Sequence, residues 1–386
     1  MRKLRLARSL GLGLSAATCL LADAPATAAT YIGTVVASGL NNPRDLAFGP
    51  DGALYIAETG FRGTGFDTGS TINFQANGSV TRLDGSTQTR IVTGLSSLYN
   101  SALNDVIGVN GIAFDGAGMG YLAMGLGADP NIRPAGSQFG HILTFTAGGS
   151  TTSFADVAAF ELANNPLGGP LDSNPFHLAY GSGGLFVTDA GANTVYSVSG
   201  SGDVSLVSTF PDRPIGPPLP VSNVVPTGVA VGADGTLYVA ELTGFPFTPG
   251  AAQIYSIAPG GGTPDVFATG FTNLTDLAFS PDGDLYALSL DTDGILGPNQ
   301  SGAIYRIGSD GSSQQIYSGL VNPTGMTFGD DGAIYVTNFG NTLDAGLGEV
   351  VRISAVPEPA SWAMMLIGFA LVGQVTRRKK RPALPA

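Results

Sequence analysis

One stretch of about 17 residues recurs six times along this 386-residue chain, and its spacing constrains the fold before any other feature. Residues 42–58 read Asn-Pro-Arg-Asp-Leu-Ala-Phe-Gly-Pro-Asp-Gly-Ala-Leu-Tyr-Ile-Ala-Glu, and residues 322–338 read Asn-Pro-Thr-Gly-Met-Thr-Phe-Gly-Asp-Asp-Gly-Ala-Ile-Tyr-Val-Thr-Asn. Further copies lie at 108–124, 174–189, 225–241 and 273–289. Phe48, Phe114, Tyr180, Val231, Phe279 and Phe328 precede the turns, with steps of 66, 66, 51, 48 and 49 residues. Each copy is a short apolar run, a Gly/Asp turn and a second apolar run. That pattern predicts a tight hairpin, with glycine supplying the positive φ that such turns need. A third run follows (78–83, 141–145, 194–198, 253–257, 303–307, 349–353), and then a fourth, as at 205–209 and 313–318.

Four antiparallel strands in roughly 50 residues make one propeller blade, so the expected fold is all-β: a six-bladed β-propeller. The last copy has only three strands, and a spare strand at 31–37 precedes the first hairpin. The N-terminal strand is therefore expected to complete the sixth blade and leave no free sheet edge. An open β-solenoid is the alternative, although its repeats are usually shorter and more even. No amphipathic helix is expected outside the chain ends.

The ends divide the chain into 1–28, 29–355 and 356–386. Arg2, Lys3 and Arg5, an apolar run from Leu10 to Leu21, and Ala26-Thr27-Ala28 have the order of a secretory signal. The single cysteine, Cys19, lies inside it, so the remainder has no disulfide and no thiolate metal site. Between residues 29 and 355 there are eight arginines and no lysine against 23 aspartates and four glutamates, a net charge of −19. Such a domain is repelled by nucleic acid and by anionic lipid.

Near the other end, Val356-Pro357-Glu358-Pro359-Ala360 precedes an apolar stretch from Trp362 to Val375 and the basic run Arg377-Arg378-Lys379-Lys380-Arg381. All three parts resemble the PEP-CTERM sorting signal. The resemblance implies a short apolar helix, transient anchoring in the inner membrane, recognition by an exosortase, cleavage near Pro-Glu-Pro, and delivery to the cell surface or medium. A plain anchor is the alternative, though the apolar run falls short of the roughly 20 residues that a spanning helix prefers.

The long insertions (59–77, 96–108, 125–139, 156–175, 211–224, 242–251 and 290–301) all fall in the loops that a propeller presents on one face. The turns on the other face stay short. Elaboration of one face is how a rigid scaffold displays a binding surface. Two rings of side chains are expected at the channel mouth there. One is Asp45, Gly111, His177, Gly228, Asp276 and Gly325; the other is Glu58, Met124, Asp189, Glu241, Ser289 and Asn338. Glu58, His177, Asp189 and Asp276 form the candidate metal-binding set. Hard cations take oxygen ligands, so calcium is the metal to expect, and the same groups could do acid–base chemistry. Asp45, Asn110, Glu241 and Asn338 are candidates for ligand contact, and no catalytic residue is assigned. The alternative for these acids is that they tie down nearby backbone. Asp291-Thr292-Asp293-Gly294 opens like a calcium loop but has Gly302 where such a loop ends on Glu.

The repeat resembles the NHL type, and residues 39–44 with 50–58 resemble the ScyD/ScyE family of secreted propellers, many of which carry PEP-CTERM tails. That resemblance implies an exported six-bladed propeller and supplies no catalytic residue. Six-bladed lactonases and esterases, which hold calcium at the channel mouth, are similar in a more general way. Two functions are therefore expected to compete. One is a non-catalytic module binding a glycan, protein or small molecule in the extracellular matrix; the other is a calcium-dependent lactonase- or esterase-like hydrolase.

Overall fold

The structure, a computed structural model, describes residues 30–63, 71–181, 184–215 and 219–356. The secretory signal and the apolar helix expected near the C-terminus lie outside these residues.

Each hairpin is closed by the chemistry its sequence carries. In the first copy the Gly49 amide donates to the Ala53 carbonyl, Gly52 takes φ 75°, and the Asp51 carboxylate accepts from the Ala53 amide and the Tyr55 hydroxyl. The last copy repeats this, with Gly332 at φ 73° and Asp331 accepting from Ala333. Side chains cannot adopt that φ cheaply, which is why Asp-Gly recurs at these turns.

These hairpins grow into six antiparallel sheets. Blade 1 runs Pro43–Phe48, Leu54–Glu58, Ile72–Asp84, Thr87–Asn100 and a fifth strand, Asp105–Ile107. Blade 2 is Val109–Phe114, Gly120–Met124, His141–Phe145 and Thr151–Asp156. Blade 3 is Pro175–Gly181, Gly184–Asp189, Thr194–Val198 and Val204–Thr209. Blade 4 is Pro226–Val231, Leu237–Glu241, Ala252–Ile257 and Asp265–Phe271. Blade 5 is Leu274–Phe279, Leu285–Ser289, Gly302–Ile307 and Ser313–Leu320. Blade 6 contributes Met326–Phe328, Ile334–Asn338 and Gly348–Val356, and its outer strand is the N-terminal Thr30–Leu40, paired from Thr30↔Val356 to Leu40↔Gly348. The ring is closed as expected, and the solenoid alternative falls.

The hydrophobic core is a ring of interfaces between blades. Tyr55, Ala57 and Val80 of blade 1 pack with Ile112, Leu122 and Leu143 of blade 2, and comparable clusters fill the other five interfaces. The aromatic residue of one blade's second strand meets the pre-turn residue of the next: Tyr55 with Phe114 at 4.9 Å, Tyr286 with Phe328 at 5.0 Å, and Tyr335 with Phe48 at 5.1 Å between ring centroids. Edge-on contact suits the ring quadrupoles. The regular spacing of pre-turn aromatics in the sequence is thus the spacing of blade-to-blade contacts.

The insertions differ from expectation in three places. The first and second are not simple loops: the third and fourth strands of blade 1 extend through them as a ribbon paired from Ile72↔Asn100 to Asp84↔Thr87, seated on the small cluster of Leu98, Ile107, Leu126 and Phe139. The fourth holds a helix, Val157–Asn164, whose N-cap Asp156 accepts from the Ala159 amide and whose Val157, Ala158 and Glu161 are buried. At eight residues it is too short to show a clear apolar period, and tertiary burial rather than propensity sustains it. The fifth carries a two-residue-per-strand hairpin, Arg213–Pro214 with Val221–Ser222. Among the described residues, no helix is long and apolar enough to cross a membrane.

Candidate functional site at the channel floor

Where six innermost strands converge, polar residues and glycines alternate, and the geometry explains why. A Cβ on Gly228 would lie 2.5 Å from the Asp276 Cα, one on Gly325 2.6 Å from the Asp45 Cα, and one on Gly111 3.1 Å from the His177 Cα. Glycine in the even blades is what lets the odd blades bring a side chain to the axis.

Each of those three side chains then accepts the amide that follows the glycine of the next blade. Asp45 Oδ2 accepts from Ile112 at 2.8 Å, Asp276 Oδ2 from Met326 at 2.6 Å, and His177 Nδ1 from Val229 at 3.3 Å. The other carboxylate oxygens accept locally, Asp45 Oδ1 from Leu46 and Asp276 Oδ1 from Leu277, both at 2.7 Å. His177 Nε2 lies 3.0 Å from Asp276 Oδ1 and 3.5 Å from Asp45 Oδ2. Asp45 and Asp276 are buried, and the His177 side chain is 12% exposed.

Burial alone pulls the His177 pKa down, but the two carboxylates facing it outweigh that and hold it well above the ordinary 6.5. Burial pushes Asp276 up, with His177 opposing the shift. The Val229 amide favours a neutral ring, yet one bond of 3.3 Å is weaker than two facing carboxylates. The ring that accepts from Val229 is neutral, with its one proton on Nε2 facing the carboxylates of blades 1 and 5; protonation adds an N–H at Nδ1 and exchanges the Val229 bond for charge attraction to Asp45 and Asp276.

Asp45, His177 and Asp276 each offer a ligand atom, and these atoms lie within 4.8 Å of one another. A metal would need the Nε2 lone pair, which puts the proton on Nδ1 against the Val229 N–H. Calcium asks for six to eight oxygens, whereas here two carboxylates already accept backbone amides and the third group is an imidazole. The donor set therefore does not match calcium. Above this floor a cavity of about 360 Å³ runs to the tight-turn face, walled by the innermost strands out to Phe48, Phe114 and Tyr180.

The set Glu58, His177, Asp189 and Asp276 does not form one cluster. The structure joins His177 to Asp276 and adds Asp45, while Glu58 and Asp189 lie at the ends of second strands, fastening the segments that enter their blades. Glu58 Oε2 accepts from the Asn41 amide at 2.6 Å and pairs with Arg90 at 2.8 Å. Asp189 Oδ1 accepts from the Asn174 amide at 2.5 Å and from Ala192 at 3.0 Å, and Oδ2 from Ser173 Oγ at 2.7 Å. Asn338 accepts from the Val321 amide at 2.7 Å. Glu241 pairs with Arg213 and accepts from the Tyr255 hydroxyl at 3.1 Å; burial lifts its pKa to about 7 against the arginine's pull. Asn110 donates to Asn174 Oδ1 at 3.0 Å and to the Pro175 carbonyl at 3.2 Å, joining blades 2 and 3.

Sequence reading missed a third set, the threonines just before the axial ring. Thr227, Thr275 and Thr324 donate to the carbonyls of Leu274, Pro323 and Pro43, each in the next blade. Their recurrence one residue before the axial ring was the available signal.

Residues 355–381 match the PEP-CTERM protein-sorting motif, which indicates export and C-terminal processing by an exosortase. No curated protein matches the chain. Among solved structures it is similar to a gluconolactonase, XC5397 from Xanthomonas campestris, at 14% identity and TM-score 0.52, covering 84% of this chain and 89% of that one. A Trichoderma reesei carbohydrate-active enzyme of family AA12 is similar at 12% identity and TM-score 0.53, covering 86% and 97%. A protein described as a putative gluconolactonase is similar at 14% identity and TM-score 0.50, covering 86% and 93%. At these identities the likeness shows the fold: a six-bladed β-propeller, carried on a chain with a PEP-CTERM sorting motif.

Proposed function

We propose that the protein is an exported, non-catalytic propeller that binds a glycan or protein partner at the cell surface or in the exopolysaccharide matrix through its loop-bearing face. The observation that carries this reading is the employment of the polar residues around the axis. Asp45, His177 and Asp276 accept the amides of neighbouring blades, and Glu58, Asp189 and Asn338 accept those of entering segments. Groups so engaged are poor nucleophiles and poor general bases, because using them breaks the closure of the ring.

The position of the chain ends supports the same reading. Thr30 pairs with Val356 at the tight-turn edge of blade 6, so the described chain reaches the start of the sorting motif on the face opposite the elaborated one. The ScyD/ScyE resemblance fits such an exported scaffold.

The test is retention of the purified mature protein on cell-surface polysaccharide and on surface-protein extracts, run beside a panel of lactones and esters with and without calcium. Retention without turnover is the expected result. Turnover that disappears in a folded His177→Gln variant would overturn the reading in favour of the hydrolase.

A further inference from the structure

We infer that a cleft on the loop-bearing face, between blades 1, 5 and 6, is a binding site for a neutral, hydroxyl-rich ligand, namely a saccharide unit of an uncharged polysaccharide. This deepens the surface-binding function proposed above and rests on it.

The cleft encloses about 420 Å³, within the about 300–1,000 Å³ of ordinary ligand sites. It is built by the turn after the long ribbon of blade 1, the insertion of blade 5 and the insertion of blade 6. Its polar lining is dominated by side-chain amides: Asn104, Gln300, Asn322 and Asn341. Most of that capacity is unspent. The Asn104 carboxamide oxygen accepts from the Tyr99 hydroxyl, the Asn341 oxygen from Arg44, and the Asn322 nitrogen donates to the Asn341 carbonyl. Among the described residues, the whole Gln300 amide and the Asn104 and Asn341 amide nitrogens have no protein partner.

A carboxamide offers a donor and an acceptor side by side. A vicinal diol presents the same pair in return, since each hydroxyl both donates and accepts. Besides Asp291 and Thr342, whose hydroxyl donates to Asn42, the remaining lining is aliphatic, including Leu103 and Ile295, which are 64% and 38% exposed and can take the C–H face of a sugar ring. Charge narrows the class. The lining holds one carboxylate, Asp291, and no arginine, lysine or histidine, in a domain of net charge −19. An acidic polysaccharide meets repulsion there, because the guanidinium behind the lining, Arg44, is buried and already paired with Asp105. The larger cleft on blade 3, about 680 Å³, differs in carrying Glu161, Asp172 and Asp212, and Asp172 is held near 7 by burial and by Asp189.

The test is affinity electrophoresis of the mature protein in native gels containing dextran, a β-glucan or a mannan, with alginate as the anionic counterpart. At least one neutral polymer should retard migration and alginate should not. Gln300→Ala removes an amide that holds no other part of the protein, and should weaken retardation about tenfold. Gln300→Trp fills the cleft and should abolish it. Leu167→Trp, which obstructs the blade 3 cleft, should leave it unchanged, and circular dichroism should show all three variants folded. Retardation by a neutral polymer that ignores both Gln300 substitutions overturns the cleft while leaving the surface-binding function standing. Stronger retardation in alginate overturns the choice of ligand. No retardation by any neutral polymer overturns the saccharide site itself, and the protein-extract arm then decides whether the face binds a protein instead.

Discussion

Replacing His177 by alanine should destabilise the propeller in a pH-dependent way. The substitution removes the proton that bridges Asp45 and Asp276 at 3.5 and 3.0 Å, and leaves two carboxylates buried at the axis without it. Breaking a buried pair by deleting one partner costs about 3–5 kcal/mol, because the charge left behind is uncompensated. Unfolding entropy near 2.1 cal/mol/K per residue gives roughly 0.7 kcal/mol/K for a domain of roughly 330 residues, so the melting temperature should fall by about 4–7 °C. The sign with pH follows from the direction of the shift. His177 titrates above its ordinary 6.5 in the folded protein. Its contribution is therefore fully present below about pH 6.5 and is lost as the pH rises through the folded value. Differential scanning calorimetry of both proteins from pH 5 to 10 should show the gap between them widest in acid and narrowing in alkali. A gap under about 1 °C at pH 6 would refute the bridge, and a gap that widens in alkali would refute the assignment of the proton. Wild-type melting that climbs several degrees on adding a divalent cation and falls with chelator would instead place a metal there.

Three further outcomes follow from the same geometry. Gly228→Ala places a methyl 2.5 Å from the Asp276 Cα and 2.6 Å from the Leu277 nitrogen, and backbone cannot yield as a side chain tip can. It should cost at least the about 1–3 kcal/mol of an overpacked site, read as a lower urea midpoint, whereas Gly116→Ala, with open space around it, should be neutral. A mature chain beginning at Gly39 loses nearly all of the strand paired with Gly348–Val356; it should melt lower and aggregate, and equal melting would contradict closure by the N-terminal strand. Glu358→Ala should leave melting unchanged but stop removal of the tail, since Glu358 lies in the matched sorting motif beyond the last strand; mass spectrometry of the C-terminus distinguishes this from a plain anchor, for which wild type keeps Arg381 as well.

The repeat determined most of the architecture by itself. A hairpin is a local object: its turn needs glycine at positive φ, its strands need alternate apolar residues, and both needs are written within about 17 residues. Six copies and one spare strand at 31–37 then leave closure as the way to satisfy the last sheet edge, and Thr30–Leu40 supplies it. The sorting motif was equally legible, because its recognition is linear in sequence. The helix at Val157–Asn164 and the ribbon of blade 1 were not, since both are sustained by what they pack against rather than by their own pattern.

The axial cluster shows the boundary most clearly. The alternation of Asp45, His177 and Asp276 with Gly111, Gly228 and Gly325 was visible in the sequence, and so was the recurring polar residue at Glu58, Asp189, Glu241 and Asn338. Both rings sit at matching places in the repeat, so spacing alone could not separate them. Tertiary structure decided that one ring meets on the axis and that the polar members of the other fasten the entries of their blades. It also decided which carboxylate joins His177 and Asp276, a choice made across blades 1, 3 and 5. Hydrogen bonds between segments 50 or more residues apart depend on how the blades are inclined about the axis, and that inclination is set by side-chain packing at all six interfaces together rather than by any one copy of the repeat.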